Sequence, residues 1–63
     1  MNRKIIILDY TTGTVYISNY DENVYGDDFE LFLEDYNNEH KLELKHNNCY
    51  YMTTEKMIMV KFL

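Results

Sequence analysis

His40, His46 and Cys49, spaced H-x5-H-x2-C, are the only soft metal ligands in this 63-residue chain. Structural zinc is closed by four ligands, so this set would need an acid such as Glu39 to complete it. Two of the three have simpler uses. His40 stands where it extends an apolar helical stripe from Tyr36, and a free cysteine on a core face behaves as a small apolar residue. A second metal-like pattern, Asp21-Glu22-Asn23-Val24-Tyr25-Gly26-Asp27, places oxygen ligands at positions one and three and glycine at six of a calcium loop. Positions five and twelve hold Tyr25 and Phe32, where such a loop needs an oxygen donor and a bidentate glutamate. The stretch is better read as an acidic turn that enters and caps a helix. No metal and no cofactor are expected.

Nucleophiles are equally sparse. Ser18 is the only serine; it lies mid-strand with Asp9 and Tyr16 on its face and no histidine nearby. Cys49 with His46 or His40 is the other nucleophile–base combination. Gly13 and Gly26 stand alone, so no glycine-rich phosphate loop is present. A chain this short also leaves little room for an enclosed pocket. The chain reads as a non-enzyme.

Charge narrows the partners. Eleven Asp and Glu against six Lys and Arg give a formal charge of −5, and only Arg3 and Lys4 are adjacent cations. Affinity for nucleic acid rests on clustered cations that displace counterions from phosphates, so DNA and RNA are disfavoured. One cysteine excludes an internal disulfide and suits a reducing cytoplasm. No apolar run approaches the ~20 residues of a membrane-spanning helix. Ile5-Ile6-Ile7-Leu8 is too short for a signal core and runs into Asp9. These features predict one soluble, cytoplasmic domain over 1–63.

The elements that position these side chains follow from periodicity. Asp27 to Asn37 is an amphipathic helix, since Phe29, Phe32, Leu33 and Tyr36 fall at i, i+3, i+4 and i+7. Asp27 or Asp28 caps it, and Asn37-Asn38 offers an exit. Lys4–Tyr10 and Thr14–Tyr20 read as a hairpin around Gly13, pairing Tyr10 with Val15 and Leu8 with Ile17. For 39–48, an edge strand through Leu42 and Leu44 and an irregular segment are equally open. Cys49–Thr53 and Met57–Phe62 read as a second hairpin. The result is an α+β domain of order ββαββ, one helix on one face of a four-stranded antiparallel or mixed sheet.

The stretches Leu8-Asp9-Tyr10-Thr11-Thr12-Gly13-Thr14-Val15-Tyr16, Tyr20-Asp21-Glu22-Asn23-Val24-Tyr25 and Cys49-Tyr50-Tyr51-Met52 resemble short uncharacterised bacterial proteins of gut commensals and their mobile elements. The resemblance implies a small bacterial cytoplasmic protein. It carries over no functional residue.

Face counting supplies the functional expectation. The helix is expected to cover Ile6, Leu8, Val15, Ile17, Tyr51, Ile58, Val60 and Phe62. The opposite side would then carry Ile5, Ile7, Tyr16, Tyr20, Tyr50, Met52, Met57 and Met59, too apolar for solvent. Two leucines at 42 and 44 are too few to cover it. That side is the expected partner interface of a homodimeric interaction module, a small regulator or adaptor. The rival is an acidic mimic or inhibitor from a mobile element, acting through the helix flank where Asp27, Glu30, Glu34, Asp35 and Asn38 surround Leu31.

Overall fold

Two eight-residue strands joined by a four-residue turn frame the protein: β1 (Asn2–Asp9) and β2 (Thr14–Asp21), antiparallel. The computed structural model describes the backbone of residues 2–63 and the side chains of residues 3–63. Asp9 organises the turn. Its carboxylate accepts from the Thr11 amide at 3.0 Å, the Thr11 hydroxyl at 2.6 Å and the Thr12 hydroxyl at 3.0 Å. The Gly13 amide donates to the Asp9 carbonyl at 2.8 Å, with Gly13 at φ 72°, a conformation glycine adopts without a Cβ clash. By fixing Thr11 and Thr12 in the loop, Asp9 moves the register two residues from the expected one. Leu8 pairs with Val15 and Ile6 with Ile17. An even shift leaves the division of faces intact.

Asp21 accepts from the Asn23 amide and caps a single helical turn, α1 (Glu22–Tyr25), which Gly26 ends. Asp28 caps the main helix, α2 (Phe29–His40), accepting from the Leu31 amide at 3.1 Å. α2 runs past the expected exit at Asn37-Asn38 and ends at Lys41, which takes the left-handed conformation at φ 56°. Asn37 stays helical because its side chain bonds elsewhere: its amide donates to the Leu44 carbonyl at 2.8 Å, and its oxygen accepts from the Leu44 amide at 3.0 Å. The irregular segment 41–45 is thereby strapped to the helix. A 3-10 turn (His46–Asn48) leads into β3 (Cys49–Thr54), which pairs antiparallel with β1.

The fold is α+β with a three-stranded antiparallel sheet of order β2-β1-β3. The fourth expected strand, Met57–Phe62, does not form. A bend at Glu55-Lys56, where the Lys56 amide donates to the Thr54 hydroxyl, turns the chain across the sheet face instead of back along β3. Among the described residues, none of 57–63 has a backbone hydrogen bond.

For β1 and β2 the core lies on the other side of the sheet from the one expected, whereas Cys49 and Tyr51 of β3 face the helix as expected. Ile5, Ile7, Tyr20 and Cys49 pack with Phe29, Phe32, Leu33, Tyr36 and Leu44. Aromatic bulk decides the choice. The Tyr20 ring lies 5.0 Å from Phe32 and 5.6 Å from Tyr25, and its hydroxyl donates to the Gly26 carbonyl at 2.7 Å. Tyr16 meets Tyr36 edge-on, and Phe29 stacks on Tyr51 at 3.9 Å. Asp9 shares that face and is only 6% exposed, its carboxylate satisfied by the turn. Leu44 and Leu42 close over the same core, so the segment does fold back, on the helix side.

Candidate interaction surface

The uncovered face follows from strand alternation. Ile6 and Leu8 of β1, Val15 and Ile17 of β2, and Tyr50 and Met52 of β3 point away from α2, because their neighbours in sequence point toward it. Ile6, on the central strand, is buried, whereas Leu8, Val15, Ile17 and Met52 are about half exposed and Tyr50 is 69% exposed. The segment 57–63 crosses this face. Only Ile58 is half-buried against it; Met57, Met59, Val60 and Phe62 stand in solvent, Phe62 at 96% exposure.

Between face and segment runs a groove of about 480 Å³, lined on the sheet side by Ile6, Leu8, Val15, Ile17, Tyr50 and Met52 and on the other by Met57 to Lys61. Lys61 is its only charged lining residue. The volume lies in the range of ligand-binding clefts, and the lining is almost wholly apolar.

The eight residues expected to form one interface are divided by the structure. Ile5, Ile7 and Tyr20 are buried under α2, and Tyr16 is half-buried beside Tyr36. Tyr50, Met52, Met57 and Met59 are exposed on or over the open face. Leu8, Val15 and Ile17, which complete that surface, were assigned by sequence reasoning to the core. Both faces of the hairpin are apolar, so alternation alone does not say which one the helix takes.

The candidate chemical groups are placed as follows. Cys49 is 8% exposed, and burial pushes its thiol pKa above the usual range, with the Asp9 charge adding to the effect. A thiol held in its protonated form is a poor nucleophile. His46 Nε2 lies 3.5 Å from Glu30 Oε1, and both side chains are largely exposed. His40 packs against Tyr36 with ring centroids 4.5 Å apart, extending the helix stripe as its position implied. Among the described residues, no three His, Cys, Asp or Glu side chains converge as a metal site. In the acidic turn, Asp21 serves as a helix cap. Among the described residues, no helix is long and apolar enough to cross a membrane.

The acidic flank of α2 has its own shape. Leu31 is 42% exposed between Glu30 and Glu34, beside an open cleft that also meets Asp28, Lys45 and His46. Asp35 is occupied, accepting from the Tyr25 hydroxyl at 2.8 Å.

Comparison with protein-family models, with curated proteins and with solved structures gives no match.

Proposed function

We propose that this chain is a non-enzymatic protein–protein interaction module, a small regulator or adaptor, that self-associates through its uncovered sheet face. The observation that carries the reading is the size and continuity of the apolar surface formed by Leu8, Val15, Ile17, Tyr50 and Met52 with Met57 and Met59. Soluble monomers rarely expose apolar patches beyond a few hundred Å² except at interfaces. Tyrosine and methionine, enriched here, supply large and adaptable contact area. A domain of this size buries only about 60% of the surface of its unfolded chain, so a second copy adds core that one chain lacks. The buried, protonated thiol of Cys49 supports the non-enzymatic part of the reading.

Sedimentation at micromolar concentration tests it. The wild-type chain is expected as a dimer, and Leu8→Lys or Tyr50→Lys as a monomer with unchanged far-ultraviolet circular dichroism. A wild-type chain that stays monomeric to about 100 μM, a loose threshold for specific association, overturns self-association.

The exposed Leu31 between Glu30 and Glu34 favours a second reading, an acidic mimic or inhibitor that engages a basic partner through the α2 flank. Glu30→Lys with Glu34→Lys separates the two. Partner capture lost in that variant, with dimerisation intact, selects the mimic.

A further inference from the structure

We infer that the groove between the open sheet face and segment 57–63 is filled by the Phe62 side chain of a second copy, each copy inserting into the other. The inference rests on the self-association proposed above and specifies its contacts.

Three observations lead to it. First, the segment walls the groove without filling it. Met57 to Lys61 line the cavity, whereas Phe62 lies beyond the lining and is 96% exposed. Phe62 thus presents its aromatic side chain to solvent next to an apolar slot that its own backbone has already passed. Second, the area matches what a dimer needs. Leu8, Val15, Ile17, Tyr50, Met52, Met57, Met59, Val60 and Phe62 are each at least 44% exposed, together a surface on the order of the 800 Å² that each partner buries in a standard interface. Third, charge at this face does not oppose a like copy. The molecule carries −5, yet no acid lines the groove. Of the eleven acids, Glu55 alone lies at the base of the segment, and it is paired with Arg3 at 3.3 Å. The rest belong to the helices, their caps, the turn between them, the 41–45 segment and the hairpin end, so two copies can meet here without bringing their acidic surfaces together. A two-fold arrangement makes the contact self-complementary: what Phe62 of one copy gives, the other returns.

Full-length variants in a Cys49→Ala background test the insertion. Val15→Cys and Phe62→Cys chains, mixed in equal amounts and oxidised, should yield mainly a covalent one-to-one pair of unlike chains. Phe62→Asp should weaken dimerisation at least tenfold by sedimentation, while Leu31→Asp, on the α2 flank, leaves it unchanged. A dimer that tolerates Phe62→Asp and gives no Val15–Phe62 cross-link overturns the insertion and leaves self-association standing. A chain monomeric at every concentration overturns both.

Discussion

At the scale of single residues, Asp9 does most to define the hairpin. Hydrogen bonds from Thr11, chiefly its hydroxyl, and from Thr12 hold its carboxyl below the ordinary carboxylate range, against the opposing effect of burial. The direction fixes the pH dependence. A carboxyl whose folded pKa is depressed contributes stability that is present above the unfolded value of 3.8 and is lost as pH falls through the lower folded value. The wild-type chain should therefore lose thermal stability on acidification below about pH 4, near the reference carboxyl pKa. Asp9→Asn should have a lower melting temperature at pH 7 and a smaller further drop on acidification. Melting curves at pH 7 and pH 3 decide this; equal drops in both proteins would remove Asp9 from the account. Asp9 also shows where reading the sequence stops short. A carboxylate on a strand face argues for solvent until its partners are known, and those partners are threonines two and three residues later, in the turn. The pattern Asp-x-Thr-Thr-Gly was legible as a turn, but its consequence for which face is buried was not.

At the scale of elements, α2 was the most legible part of the chain. Its buried residues, Phe29, Phe32, Leu33 and Tyr36, are the four that the helical spacing selected. The segment after it was not legible, since Leu42 and Leu44 alternate with charges as a strand does. What makes 41–45 irregular is a side chain seven residues upstream. Asn37 offers Leu44 both a donor and an acceptor, standing in for a neighbouring strand. Removing it leaves the Leu44 amide and carbonyl without protein partners beside a buried side chain. Asn37→Ala should cost about 1–3 kcal/mol, the range for stranding a buried polar group. Chemical denaturation measures the loss, and hydrogen exchange should localise it to 41–45. A variant within error of wild type, with the Leu44 amide still protected, would show that the segment is held by Leu42 and Leu44 packing alone. The missing fourth strand has a similar local cause. Met57–Phe62 has strand-like composition, but the bend after Thr54 sets its direction before any pairing can form.

At the scale of the molecule, the sheet has two apolar faces, and among the described residues only α2 is long enough to cover one of them. Sequence periodicity divides the residues of β1 and β2 correctly between faces, yet it cannot rank them when both faces are apolar. Tyr20 breaks the tie, because it stands at the end of β2 where α1 and α2 begin and reaches both Tyr25 and Phe32. Adjacent residues of one strand should then respond differently to the same truncation. Ile7 is fully buried, and Ile7→Ala should cost about 2–5 kcal/mol at any protein concentration, as core truncations do. Leu8 is 44% exposed in the single chain, so Leu8→Ala should cost under about 1 kcal/mol in dilute solution, where little burial is lost. The contrast changes at high concentration if a second copy covers the open face. The wild-type and Ile7→Ala melting temperatures should rise with protein concentration, because association stabilises the folded chain by mass action. That of Leu8→Ala should rise less. Melting curves over a hundredfold concentration range measure all three. Equal concentration dependence in wild type and Leu8→Ala would place the contact between copies elsewhere on the molecule, and a larger dilute-solution loss at Leu8 than at Ile7 would reverse the assignment of faces.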